Sequence, residues 1–173
     1  MRIVAGRHAG RHLTSPGRKV RPTPEDVRAR ALDLVADDLE AARVLDLFAG
    51  SGAVGLEALS RGARSADFVE NGAVALHALK ANVAALRVGK RTRIFKKDVV
   101  PWIEGLEPGT YDVAYVDPPY GSRKLDRVVE RWLEVPFARV LILEHDKAHP
   151  LPDGARGKRY DFAGPTRLTV LRG

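Results

Sequence analysis

The stretch Arg43-Val44-Leu45-Asp46-Leu47-Phe48-Ala49-Gly50-Ser51-Gly52-Ala53 changes its pattern partway along, and the rest of the chain is organised around that change. Its first six residues form an apolar run with the character of a buried strand. Two glycines then intervene before Val54, Leu56, Ala58 and Leu59 recur at helical spacing. Strand, glycine turn and helix in that order make a cradle of the nucleotide-binding kind. Gly50 and Gly52 can take positive φ, and the N–H groups opening the helix face a ligand. A single Gly-x-Gly also fits an ordinary tight turn, so the spacing downstream has to separate the two.

Downstream, strand ends repeatedly carry acids. Ser65-Ala66-Asp67-Phe68-Val69-Glu70 ends in a carboxylate about twenty residues past the turn, where an acid can accept two hydrogen bonds from a ribose diol. Arg91 to Lys96 is predicted as a third strand leading to Lys97-Asp98-Val99; Asp98 can accept from an adenine amine or cap the helix that follows. Tyr111 to Val116 then runs into Asp117-Pro118-Pro119-Tyr120. An acid, two prolines and an aromatic at the carboxyl edge of a sheet offer fixed acceptors and a stacking face for a planar amine. Asp-Pro-Pro also ends strands for steric reasons alone, because proline donates no N–H and biases its predecessor toward extended geometry.

The remaining segments complete an α/β pattern. Thr23 is predicted to cap a helix with Pro24 at its first position, and Gly72–Leu86 and Arg123–Leu133 carry apolar residues at helical spacing. Ala138–Glu144 is a fifth buried strand, and Lys158–Ala163 with Thr166–Arg172 form an antiparallel pair split by Gly164-Pro165. Strands alternating with helices imply a mostly parallel sheet covered on both faces. At 173 residues and 45% hydrophobic content the chain can bury one substantial core. The absence of cysteine excludes disulfides and thiolate metal sites. His8, His12, His77, His145 and His149 lack zinc-type spacing, so metal catalysis is not expected. No apolar run reaches the ~20 residues of a membrane span, and a cytoplasmic location is expected.

Charge is unevenly spread. From Met1 to Thr23 every ionised side chain is basic: Arg2, Arg7, Arg11, Arg18, Lys19 and Arg21. Short alternation on either side of Gly6 and Gly10 predicts a small β-hairpin, so residues 1–22 are expected to be a basic arm and 23–173 the main domain. With a net charge of +7 the arm is a candidate phosphate contact, although a solvated basic terminus would share this composition. Lys90, Arg91, Arg93, Lys96 and Lys97 form a second basic group.

Asp46 through Ala53, Glu70, Asp98 and Asp117 through Tyr120, in that order, resemble the motifs of class I S-adenosylmethionine-dependent methyltransferases that alkylate exocyclic amines. Met1-Arg2-Ile3-Val4-Ala5-Gly6, Gly10-Arg11, Arg21-Pro22-Thr23 and Ser60-Arg61-Gly62-Ala63 narrow the resemblance to RsmD-type 16S ribosomal RNA guanine-N2 methyltransferases. The resemblance implies a Rossmann-like fold with a seven-stranded sheet. It implies S-adenosylmethionine held by Asp46, Phe48, Ala49, Gly50, Ser51, Gly52, Glu70, Asn71, Asp98 and Val99. Asp117, Pro118, Pro119 and Tyr120 would act on a guanine, and the partner would be 16S RNA in the assembled small ribosomal subunit, met by a monomer. The segment before the fifth strand lacks the longer glycine-containing turn of the family, an abbreviation expected to trim one wall of the site. Asn71 stands where a charged residue is common. A DNA adenine-N6 or protein glutamine methyltransferase could use the same tetrapeptide. A catalytically silent RNA-binding protein would leave the strand-end acids without a shared purpose, and for a nicotinamide dehydrogenase no hydride-transfer acid or base stands out.

Overall fold

The strand β1 (Arg43–Leu47) lies in the middle of a seven-stranded sheet, in a computed structural model that describes residues 1–17 and 23–173. The other strands are β2 (Ser65–Glu70), β3 (Thr92–Lys96), β4 (Tyr111–Val116), β5 (Ala138–Asp146), β6 (Gly157–Asp161) and β7 (Thr166–Arg172). They are ordered β3-β2-β1-β4-β5-β7-β6, and only β7 runs against its neighbours. This is the Rossmann-like class I methyltransferase fold. Because the chain steps outward from β1 to β3 and then returns to place β4 on the other side of β1, a crevice opens between the carboxyl ends of β1 and β4. The turn after Leu47 and the tetrapeptide after Val116 are brought together by that topology.

Central strands are apolar on both faces because helices cover both. Val44, Phe68, Tyr115 and Ile142 pack on α1 (Glu25–Asp33), α3 (Ala53–Ser60) and α4 (Ala73–Ala85). The alternate residues Leu45, Val69, Val116 and Leu141 pack on α5 (Val99–Ile103) and α6 (Lys124–Glu134). A short α2 (Ala36–Leu39) leads into β1 and adds Leu39 to the first of these cores.

The N-terminal segment folds antiparallel on itself, with Arg2 opposite His12 and Ile3 N–H donating to the Arg11 carbonyl at 2.9 Å. It adds fully buried Ile3 to the core. Its backbone is held by Glu57 of α3, whose carboxylate accepts from Val4 N–H at 2.9 Å and Ala5 N–H at 2.9 Å. Glu57 also pairs with Arg28 of α1 at 3.4 Å, both side chains being 0% exposed, and Arg28 donates in turn to the Arg2 carbonyl. Arg18, Lys19 and Arg21 lie outside the described residues.

Two local expectations change. Pro24 rather than Thr23 occupies the N-cap of α1, and the Thr23 hydroxyl donates instead to Asp117 at 3.3 Å. The abbreviated segment between α6 and β5 trims nothing from the crevice. It joins the amino end of β5, where Tyr111 N–H donates to the Phe137 carbonyl at 2.9 Å, on the sheet edge away from the carboxyl ends.

Candidate active site

A cleft of about 630 Å³ occupies the crevice. Asp46 forms its floor, accepting from Gly55 N–H at 2.9 Å. Phe48, at φ 59°, swings the chain off the strand into the turn. Glu70 braces that turn from β2, taking the Gly50 N–H at 2.8 Å on one oxygen and the Asn71 and Gly72 N–H groups at 3.0 and 2.8 Å on the other. A carboxylate has about four acceptor positions, so Glu70 retains capacity for ligand hydroxyls. Gly52 is required twice over, by its φ of 80° and because a Cβ there would meet Leu79 Cδ1 at 2.3 Å. Gly55, unremarked in the sequence, lets α3 pass Phe68; a Cβ there would approach its ring to 2.4 Å.

The cleft is acidic in a basic protein. Asp46, Glu70, Asp117 and Glu144 line it, with Lys124 the one cation among the described lining residues. Burial, reinforced by the Glu70 charge and opposed by the Gly55 hydrogen bond, pushes the Asp46 carboxyl up to about 8. The Tyr115 hydroxyl donates to Glu144, and burial together with the Glu144 and Asp117 charges holds its pKa well above the usual phenol range. Such a cleft favours a cation, and the glycine cradle lets it approach the backbone.

Pro118, Pro119 and Tyr120 line the far wall, and Tyr120 is 54% exposed. Ser122 fixes the loop by donating from its hydroxyl to the Pro119 carbonyl at 2.8 Å. Ala49, Gly50, Ser51 and Asn71 also line the cleft, whereas Gly52 supports it from behind. Asp98 and Val99 do not line it. Asp98 makes no side-chain cap to α5 and instead pairs with Lys124 at 3.4 Å, while Val99 is buried in the core beneath.

The arm and the cleft meet through Asn82 of α4. Its buried amide brackets Thr14, accepting from the N–H at 2.7 Å and donating to the carbonyl at 3.0 Å, and also donates to the Ser51 carbonyl at 3.0 Å. Arg7 and Arg11 lie elsewhere. Arg7 N–H donates to the Ser60 carbonyl at 2.7 Å and the Arg11 guanidinium to the Ala85 carbonyl at 2.8 Å, at the ends of α3 and α4 that point away from the cleft. There they gather with Arg91 around His8; burial and these three charges hold the His8 pKa below its ordinary value. Arg2 is paired with Glu25 at 3.6 Å.

Glu144, Tyr115, Gly55 and Asn82 were not assigned to the site from sequence, and Thr23 was read there only as a helix cap and part of a motif. Two of them carried a usable signal: Glu144, as an acid late in an apolar strand, and Gly55, as the third glycine of a Gly-x-Gly-x-x-Gly turn. Tyr115 was masked by the apolar run around it.

The sheet order, the glycine turn at the switch point and the acid-ended neighbouring strands define a class I methyltransferase. Residues 1–161 match the family described as "Conserved hypothetical protein 95", and the chain belongs to it, the RsmD family. It is similar to YlbH of Bacillus subtilis (strain 168), provisionally named an rRNA methyltransferase, with 30% identity over 160 residues that cover 88% of this chain and 86% of that one. It is 35% identical over 133 residues to ribosomal RNA small subunit methyltransferase D of Escherichia coli (strain K12), covering 75% of this chain and 65% of that protein's length. The solved structure of a hypothetical protein from Thermus thermophilus superposes with a TM-score of 0.84 at 30% identity, covering 100% of this chain and 99% of the other.

Proposed function

We propose that this chain transfers a methyl group from S-adenosylmethionine to the exocyclic N2 of a guanine in 16S ribosomal RNA, acting in the cytoplasm as a monomer on the assembled small subunit. The observation that carries the proposal is the meeting, in one acidic cleft, of the Asp46–Glu70 cradle and the Asp117-Pro118-Pro119-Tyr120 loop. The names of the relatives support RNA of the small subunit as the substrate class.

The cleft fits the cofactor in charge and shape. Asp46 and the turn from Phe48 to Gly52 would hold its cationic amino-acid end, and Glu70 its ribose. Asn71 would border the adenine, and Asp98 would reach the adenine amine by exchanging its bond to Lys124. When bound, S-adenosylmethionine supplies a methyl on a sulfonium whose bonding pair returns to sulfur as the N2–methyl bond forms. The protein's task is the amine. The guanine N2 lone pair is delocalised into the ring, and Asp117 with the Pro118 carbonyl would accept its two N–H bonds and direct the lone pair out of conjugation. Tyr120 would stack on the base once unstacked, a step costing a few kcal/mol in a paired context. Positioning of this kind can supply ~7 to 11 kcal/mol, and the proton can leave to water afterwards.

Asp46 gives the cofactor site a pH signature. With its pKa at about 8 in the free protein, Asp46 is mostly protonated at neutral pH. A cation bound beside it lowers that pKa, so binding releases a proton. Affinity for S-adenosylmethionine is therefore expected to rise with pH up to about 8 and level off above it. In Asp46→Asn the rise should be lost, and calorimetric proton release at pH 7 checks the difference.

The basic group at the far ends of α3 and α4 favours an extended RNA. The 13 residues of α4 span ~20 Å between the cleft and the Arg7–Arg11–Arg91 cluster, more than a short single strand at the active site covers. Replacing these three arginines with alanine should weaken RNA binding and flatten the slope of log K against log[salt] by about two. Affinity for S-adenosylmethionine should be unchanged. The substrate assignment is tested by offering radiolabelled cofactor with small subunits, naked 16S RNA, duplex DNA and a glutamine-bearing protein together. Label concentrated in small subunits supports it, and label in DNA or protein overturns it.

A further inference from the structure

We infer that Glu144 is a specificity-determining residue for the acceptor base, accepting the N1–H of guanine while Asp117 accepts an N2–H; the inference rests on the guanine-N2 reaction proposed above. Val116 pairs with Leu143 across β4 and β5, so the next residues, Asp117 just past the end of β4 and Glu144 within β5, stand side by side. Both carboxylates line the main cleft and a smaller recess of about 50 Å³ on the other side of the Pro118-Pro119 loop. Glu144 is buried and held from within the sheet by the Tyr115 hydroxyl.

Two neighbouring acceptors select among the bases by donor pattern. In guanine the exocyclic amine adjoins N1–H, so two donors lie next to one another and match Asp117 and Glu144. In adenine the amine adjoins the N1 lone pair, and in cytosine the N3 lone pair, each of which would face the Glu144 carboxylate without a proton between them. A site that hydrogen-bonds a donor rejects the analogue lacking it, here because the lone pair of the wrong base would stand directly against the carboxylate. Glu144 thus distinguishes guanine from the other bases that carry an exocyclic amine, a distinction that Asp117 alone does not make.

The test uses 2-aminopurine, which keeps the N2 amine of guanine and replaces N1–H with a lone pair. Small subunits are reconstituted with guanine or 2-aminopurine at the methylated position, and kcat/KM is measured on both with the intact enzyme. Wild type is expected to prefer guanine by about 10- to 100-fold, the usual contribution of a hydrogen bond to a charged group. Glu144→Gln should bring the ratio close to unity, since an amide can offer either an acceptor or a donor. Tyr115→Phe, which keeps the carboxylate and removes the hydroxyl that orients it, should lower the ratio part way. A cooperative unfolding transition and S-adenosylmethionine binding within a few-fold of wild type would show that the variants are folded. A preference retained in Glu144→Gln, or no preference in wild type, would overturn the inference while leaving the guanine-N2 reaction standing. No transfer by wild type to the guanine-bearing subunits would overturn both.

Discussion

Asp117→Ala is expected to reduce methyl transfer by at least about 10²- to 10³-fold in kcat, the usual consequence of deleting one preorganised electrostatic partner from an active site. The geometry explains why the loss should fall on kcat. Asp117 stands at the end of β4, set there by the switch in strand order, and receives the Thr23 hydroxyl at 3.3 Å. Its proposed role is to hold an amine whose lone pair otherwise stays in the ring, an interaction that strengthens as the amine pyramidalises. Asp46, Glu70 and the glycine turn, which define the cofactor end, are untouched by the substitution. Equilibrium affinity for S-adenosylmethionine should therefore stay within a few-fold of wild type. A parallel loss of cofactor binding would instead mean that Asp117 supports the cleft as a whole, and single-turnover transfer beside a direct binding measurement separates the two.

Glu57→Gln is expected to destabilise the fold by ~3 to 5 kcal/mol, the range for removing one partner of a buried ion pair. Glu57 and Arg28 are both fully buried, and Glu57 also pairs with Arg61 at 3.2 Å. A neutral amide leaves the Arg28 cation inside the protein without its counter-charge. It also weakens the acceptor for the Val4 and Ala5 N–H groups, which hold the N-terminal segment to α3. At ~2 to 4 °C per kcal/mol for a chain of this size, the unfolding midpoint should fall by about 10 °C. Amide hydrogen exchange should quicken first at Ile3, Val4 and Ala5. A midpoint shift below about 2 °C would mean that the pair is compensated, as some buried pairs are when apolar packing can replace them.

The sheet was legible because its strands are short, apolar and separated by glycine turns or amphipathic helices, a pattern that leaves little choice of architecture. Asp46, Glu70 and Asp117 were legible for a related reason: acids rarely end buried strands unless something at the sheet edge uses them. Glu144 was not legible in this way, because it lies within β5, which runs on to Asp146. Other features depend on partners distant in sequence. Thr23 looks like a helix cap until β4 delivers Asp117 to it, and Gly55 looks like an indifferent helical residue until the Phe68 ring is seen against it. The basic arm showed its charge but not its place. Arg7 and Arg11 pack at the ends of helices that begin at the cleft, so their side chains lie a helix length away from it. Asp98 followed the strand-end rule too, yet its bond to Lys124 leaves it outside the cleft lining.

The central claim, methyl transfer to guanine N2, is tested most directly by incubating the enzyme and S-adenosylmethionine with small ribosomal subunits lacking that methylation. The RNA is then digested, and the methylated nucleoside is identified by mass spectrometry. N2-methylguanosine at a single position, absent with Asp117→Ala, is the predicted result. A methylated adenosine or cytidine, or no modified nucleoside from an enzyme shown to bind the cofactor, would contradict it.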